Sequence, residues 1–477
     1  MERREFLKTG GAALGGIAAS SASVQSVRGM QQCKPNVLFI SIEDLQNCFG
    51  CYGNDVCQTP NIDALAERSM RFDNAACQYP VCNPSRSSLL SGVRPATTGV
   101  WGNSTNWNEH LKSGTTLPEF MRQNGYDTTR VGKIFHAGNS GRVYDDSARW
   151  DRVIPEGEGI TPSGKKRRPF TYLYDKMSAE ERDKDYNTRA WYWGATGTDD
   201  TDESDGKVAE QAVRYLENPP DKPFFLAVGF HKPHLALLAP DKYFDMYDVD
   251  KIPLPKYPEN DLDDLPSNLY SLKNHKTFTD RKRREAIAAY YACVSFVDAG
   301  VGRVLKALRD SGQEENTIIM LWGDHGFHIG EHHLWQKSTL YEESARVPMI
   351  IKAPGLTPAG SVCARPVELV DMYQTIAELC GLSEPQDLEG LSMAPLLKNP
   401  KTSWKKGAFT YRSGGPVTVR TERWRYTEWR APDQNELYDH ESDPKELTNL
   451  ATLPKYADKV AELRALLHGD WKAAFPD

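Results

Sequence analysis

The chain has 477 residues, 58 Lys and Arg against 65 Asp and Glu, a net charge of −7 and a hydrophobic fraction of 39%. A pI near 5.9 and a mean hydropathy of −0.59 point to a soluble protein and exclude a general nucleic-acid binder, which needs a basic footprint. The length exceeds one compact domain of common size, so a large domain with a smaller companion is expected.

The first residues, MERREFLKTGGAALGGIAASSASVQSVRG, set Arg3 and Arg4 ahead of a short, Gly-rich apolar run. That order predicts an export signal over residues 1–30, too short to span a bilayer. It resembles the twin-arginine signals of bacteria, which implies the twin-arginine export machinery as a partner and a periplasmic or extracellular location. No later segment reads as transmembrane. The strand NVLFISI (Asn36–Ile42) comes next, then a helix over Asn61–Met70. A second helix runs through Leu89 and Leu90 with Pro84 in its first turn, a position that tolerates proline. A helix at Leu117–Asn124 precedes a polar, aromatic-rich stretch from Gly138 to Asp205, too long for a simple connection. Then follow a helix at Lys207–Leu216, the strand Pro223–Phe230, a helix at Arg284–Ser311, strands at Thr317–Trp322 and Pro348–Lys352, and a helix at Val370–Cys380.

Apolar strands alternating with amphipathic helices predict an α/β fold, a large mixed, mostly parallel sheet flanked by helices. After LSMAPLLKNP the pattern changes to short runs such as FTYRS and WRYTEW, followed by a helix at Ala457–Leu467. These predict a smaller antiparallel-sheet subdomain. The expected division is 31–400 and 401–477.

Polar residues gather directly after the apolar strands: Glu43 and Asp44, His231 and His234, Asp324 and His325. Ligands of open α/β sheets bind at the carboxyl ends of strands, so these residues mark one candidate edge. Nine cysteines are present. An odd count in an exported protein leaves at least one free or chemically special. Cys48, Cys51 and Cys57 lack the second paired half of a zinc site; buried thiols or disulfides remain, with pairing open.

One cysteine stands apart. In VCNPSRSSLLSGVRP, Cys82 falls at a helix N-terminus, where free N–H groups and the helix dipole favour an anion. The run C-x-P-S-R, with a leucine pair, a glycine and a basic residue after it, resembles the signature of the type I sulfatases. Further landmarks agree over roughly Pro35–Leu397: TPNIDALAERSMRFDNA, GKIFH with Lys133 and His136, HKPH with His231 and His234, and WGDHGFHIGEHHLWQK with Asp324, His325 and Lys337. GKxFH, GxHKPH and the late ELYDHESDPKELTNLA make the chain similar to the iduronate-2-sulfatase-like subgroup.

The resemblance implies an alkaline-phosphatase-like fold and a sulfuric-ester hydrolase acting on a sulfated oligosaccharide or polysaccharide. It implies that Cys82 is oxidised to Cα-formylglycine, hence a formylglycine-generating or sulfatase-maturating enzyme as partner. It implies Ca²⁺, with Mg²⁺ as the alternative, held by Glu43, Asp44, Asp324, His325 and the modified Cys82. Oxygen donors suit such hard ions. His325 stands where the family has Asn or His, and ligation or a hydrogen bond to sulfate are both open. Glu43 departs from the family's usual aspartate. By the same resemblance Arg86 and Lys133 orient the formylglycine hydrate and Lys337 contacts sulfate. His234, preferred over His231, protonates the leaving alcohol, and His136 removes a proton as sulfate is expelled. The rival readings are a phosphate-ester or phosphonate hydrolase of the same fold, and an inactive sulfated-glycan-binding protein.

Overall fold

The computed structural model describes residues 34–112, 114–137, 144, 146–154, 171–172, 192–261, 263, 278–431 and 434–476. The predicted export signal, Cys33 and most of Gly138–Asp205 lie outside them. From Pro35 onward the chain forms one compact unit.

Eight strands build the main sheet: β1 (Asn36–Ile42), β2 (Met70–Phe72), β3 (Asp127–Gly132), β4 (Arg152–Ile154), β5 (Phe224–Phe230), β6 (Thr317–Gly323), β7 (Met349–Lys352) and β8 (Ser361–Cys363). Their order is β8-β2-β7-β6-β1-β5-β3-β4. The pairings are parallel except where β7 meets β6 and β2. The sheet is therefore mixed and mostly parallel, as the alternation of strands and helices predicts.

Side-chain alternation along β1 explains why it reads as an unbroken apolar run. Leu38, Ile40 and Ile42 enter one core while Val37 and Phe39 enter the other. β5 and β6 divide in the same way, as expected of strands covered by helices on both faces. The first core takes α1 (Pro60–Ala66), and the second takes α2 (Cys82–Ser91) and α3 (Leu117–Gln123). α4 (Ser204–Glu217) and α5 (Asp280–Asp310) join the first core, and α6 (Asp371–Leu379) the second. α5 is long and apolar enough to cross a membrane, but 83% of its most apolar window is buried inside the fold.

The largest boundary differences from expectation are at two helices. The helix expected to reach Met70 stops at Ala66, because Met70 and Phe72 alternate with Arg71 and pair with β7 as strand β2. α5 starts one turn before Arg284, where the Thr279 side chain accepts a hydrogen bond from Lys282 N at 3.3 Å and caps the helix.

The C-terminal segment forms the expected antiparallel sheet, β9 (Ala408–Tyr411), β10 (Val417–Arg420), β11 (Trp424–Glu428) and β12 (Glu436–Asp439), closed by α7 (Ala457–His468). Its core includes Tyr79, from the segment that leads into α2. A buried ionic cluster lies alongside. Arg94, just past α2, grips Glu368 through two bonds of 2.6 and 2.7 Å, and Lys405 Nζ lies 2.5 Å from Glu368 and 2.7 Å from Asp371.

Burial opposes ionisation of Glu368, but the Arg94 and Lys405 cations prevail and bring its pKa to about 2. A folded-state pKa below the ordinary carboxylate value contributes stability that is present above about pH 4.3 and lost as pH falls toward 2. Glu368→Gln should therefore lower stability near neutrality by about 3–5 kcal/mol, because Arg94 and Lys405 are left undercompensated. Thermal melts should show the gap to the parent closing as pH drops below about 4. A gap independent of pH would assign the loss to packing alone.

Candidate active site

β1 and β6 run side by side in parallel, with Ile42 opposite Gly323 and, on the other flank, opposite Phe230 of β5. Glu43 and Asp44, Asp324 and His325, and His231 consequently leave the sheet at one edge. β3 ends opposite β5 at Gly132 and Gly229. The two backbones approach so closely there that a Cβ on Gly229 would sit 1.9 Å from the Lys133 carbonyl oxygen, so only glycine fits. That contact launches Lys133 and His136 toward the same edge. Asp44 takes a left-handed backbone (φ 54°), and its N–H donates to Asp324 Oδ1 at 3.0 Å, joining the two strand ends.

Opposite this edge stands the N-terminus of α2. The whole helix is buried, and Cys82 has no exposed surface. Its Sγ lies 3.0 Å from Lys337 Nζ, 3.3 Å from His325 Nε2 and 3.7 Å from Asp44 Oδ1. Burial pushes the Cys82 thiol well up, against the pull of Lys337. The helix end alone therefore does not make an ordinary thiolate nucleophile.

Arg86, one turn further along α2, is fully buried. It bonds Asp324 Oδ2 at 2.8 Å, Ser41 Oγ at 3.1 Å and the carbonyls of Lys133 and Ile134 at 3.0 and 2.9 Å. Its Nη2 has no partner among the described residues. Ser85 donates to the Asp324 carbonyl at 2.5 Å. Lys133 pairs with Glu43, and Lys337 with Asp44 at 2.5 Å. Burial works against the charge on each of these carboxylates, but the neighbouring cations overcome it. Lys133 holds Glu43 well below its usual range and Lys337 holds Asp44 down. Asp324 falls to about 2 beside His325 and Arg86.

The buried carboxylates of Glu43 and Asp44 cluster with Cys82 and His234, and Asp324 and His325 cluster with Cys82, ligand atoms within 4.8 Å in each group. His325 directs Nδ1 to the Gly326 carbonyl at 2.9 Å, which turns Nε2 toward Asp44 and Asp324 at 3.3 and 3.6 Å. A ring fixed through one nitrogen with the other facing carboxylates is how histidine ligands are held. Three carboxylates with one imidazole fit a hard divalent cation.

His136 is buried, and neither ring nitrogen has a hydrogen-bond partner among the described residues. Burial, then the Lys133 charge, lowers its pKa to about 4, so the ring is neutral in ordinary buffers. His234 lies on the open side. Its Nδ1 meets the Leu235 carbonyl at 2.7 Å, while Nε2 sits 4.0 Å from Glu43 and 3.9 Å from Asp44.

All the residues singled out from the sequence thus lie around one point. The resemblance ranks His234 above His231, yet His231 Nδ1 is 3.4 Å from Glu43 Oε2, nearer than the 4.0 Å of His234 Nε2 from Glu43 Oε1. Ser41 was also missed, because a single serine at a strand end carries no signal, and Ser85 stands in the C-x-P-S-R run without a role read for it. The cysteines whose pairing was open are free thiols, all eight of those described.

A family model described as Sulfatase matches residues 35–382, and one described as N-sulphoglucosamine sulphohydrolase, C-terminal, matches 330–472. A protein named Sulfatase from Formosa agariphila is 34% identical over 449 residues, 91% of this chain and 86% of its own length. Iduronate 2-sulfatase of Homo sapiens is 33% identical over 400 residues, 73% of this chain and 70% of its own. The solved phosphonate monoester hydrolase of Silicibacter pomeroyi superposes with a TM-score of 0.75 at 24% identity, covering 92% of this chain and 96% of that one. That likeness identifies the alkaline-phosphatase-like fold, which serves more than one chemistry. The sequence matches decide between chemistries: the chain belongs to the sulfatase family, whose members hydrolyse sulfuric esters with a formylglycine and a divalent metal.

Proposed function

We propose that this chain is an exported sulfatase that cleaves a sulfated carbohydrate, with a terminal 2-O-sulfated uronate as the favoured substrate, and that Glu43, Asp44, Asp324, His325 and the modified Cys82 hold Ca²⁺. The observation that carries the reading is the buried Cys82, ringed by Lys337, His325 and Asp44 within 3.7 Å at the N-terminus of α2. The name of the human relative supports the sugar, and Arg3 and Arg4 ahead of an apolar run support export through the twin-arginine machinery. Maturation then falls to a formylglycine-generating or sulfatase-maturating enzyme.

Formylglycine at position 82 supplies a hydroxyl nucleophile, and the cation supplies positive charge that draws a sulfate oxygen and acidifies that hydroxyl. The protein supplies the rest. Arg86, Lys133 and Lys337 offset three carboxylates, so a bound divalent ion leaves the site about two charges positive and attractive to an anion. Arg86 Nη2, without a partner among the described residues, is available to orient the group at position 82. Lys337, its Nζ 3.0 Å from Cys82 Sγ, would contact the sulfate. His234, its Nδ1 fixed on Leu235, offers a proton from Nε2 to the departing alcohol on the open side. The neutral His136 is the base for the second half of the reaction.

The test is release of inorganic sulfate and phosphate from 2-O-sulfated uronate disaccharides, glucosamine sulfates, algal oligosaccharide sulfates, phosphate monoesters and phosphonates. Sulfate release from the 2-O-sulfated uronate should exceed that from the other sugars by at least about 10-fold in kcat/KM. Preference for a glucosamine sulfate would reassign the sugar, and release of phosphate alone would overturn the sulfate reading.

A further inference from the structure

The two active-site histidines on the open side come from the turn His231–His234, which belongs to no helix or strand, so their placement needs another source. The turn is closed by His234 N donating to the His231 carbonyl at 2.9 Å. One side chain from outside grips its first half. Asp205, second residue of α4 and nearly fully buried, accepts from His231 N at 2.9 Å through Oδ1 and from Lys232 N at 2.7 Å through Oδ2. The second half is held by Lys232 Nζ, which donates to the carbonyls of Ala236 at 2.6 Å and His234 at 3.4 Å.

Asp205 does not cap its own helix; α4 has no side-chain cap bond at its N-terminus, and both Asp205 oxygens are spent on the turn. A carboxylate accepting two consecutive amides makes charge-assisted bonds and fixes the peptide plane between them. Burial raises the pKa of Asp205, whereas His231 and the two amides act to keep it ionised. The arrangement has the logic of a support that orients a working imidazole through its backbone.

We infer that Asp205 is a positioning residue for leaving-group protonation: it holds the turn so that the His234 ring meets the departing alcohol. Both its carboxylate oxygens bond the turn rather than the metal-site side chains. The inference rests on the reading of His234 as the proton donor, and it implies a signature that a merely structural residue lacks. Proton donation matters in proportion to how basic the leaving alcohol is. Loss of Asp205 should therefore weigh on alkyl and sugar sulfates and spare 4-nitrophenyl sulfate.

The experiment measures kcat and KM of the mature enzyme on 4-nitrophenyl sulfate, phenyl sulfate and a sugar sulfate, for the parent, Asp205→Asn, Lys232→Met and His234→Ala. For Asp205→Asn, kcat should fall about 100-fold on the sugar sulfate and less than about 5-fold on 4-nitrophenyl sulfate, as expected for a slightly misplaced acid. KM should change little. Lys232→Met, which frees the other half of the turn without altering α4, should show the same slope and keeps the test open if Asp205→Asn does not fold. An equal loss on every ester in both turn variants, with a steep dependence in His234→Ala, would overturn the inference and leave the donor in place. A flat response in His234→Ala would instead overturn the donor reading itself.

Discussion

Cys82→Ala should release no sulfate above background from any ester, a loss of at least about 10⁴-fold, while remaining folded. A residue that supplies the nucleophile has no substitute in a water-excluded site, and removing it costs about as much as removing the whole catalytic group. The change is small in structural terms. Cys82 is completely buried and its Sγ contacts are polar groups of the site, so alanine deletes one atom and leaves α2 and its leucines in place. Sulfate measured by ion chromatography, together with a thermal melt within a few degrees of the parent, checks both halves. Peptide mass spectrometry of the parent should find position 82 oxidised rather than as a thiol. Full activity in Cys82→Ala would remove the formylglycine route from consideration.

Stripping divalent ions with a chelator should bring activity to background and lower thermal stability together. Glu43, Asp44 and Asp324 are buried carboxylates within one small volume, with Lys133, Lys337 and Arg86 as their protein counter-charges. An ion that binds only the folded state at about a thousand times its Kd contributes about 4 kcal/mol, and that contribution goes with the ion. Calcium should restore both properties, magnesium less well because it requires a tighter octahedral shell. Restoration by zinc in preference to calcium would point to His325 and position 82 as the dominant ligands rather than the carboxylates.

What the sequence revealed follows from what each segment buries. β1, β5 and β6 lie between two helical layers, so their inward positions on both faces are apolar and they stand out as runs. β3 was not legible. Its sequence DTTRVG places Asp127 and Arg130 inside a strand, and they are satisfied by distant partners, Asp127 by Tyr215 OH at 3.0 Å and Arg130 by Asp146 at 2.6 Å. No local pattern reports partners so far along the chain. β2, β4 and β8 are three residues each, too short to show a period.

The candidate site was more legible than the fold around it, because strand ends converge by topology and Cys82 lies in a specific motif. The supporting groups were not. Asp205 sits in a helix start, TDESDG, that reads as ordinary acidic first-turn chemistry. Only the structure shows its oxygens turned outward onto another segment. Cys48, Cys51 and Cys57 stand close together in sequence, yet Cys51 faces Asp63 while Cys57 lies against Cys48.

The C-terminal sheet has a consequence for recombination between relatives. Thr410 Oγ1 donates to the Cys77 carbonyl at 2.7 Å, Tyr411 N to the Gln78 carbonyl at 2.9 Å and Ser413 N to Tyr79 OH at 2.9 Å. The strand that opens the C-terminal sheet is thereby stitched to the residues immediately before the nucleophile, and Lys405 completes the charge balance of Glu368 behind Arg94. A crossover placed near residue 400 separates these partners although it falls between visible elements. The Cys77 and Gln78 acceptors are backbone carbonyls that any residue supplies, so a chimera that exchanges the C-terminal segment has to carry Tyr79, Arg94 and Glu368 with it, and the unit of exchange is discontinuous in sequence and includes the approach to Cys82.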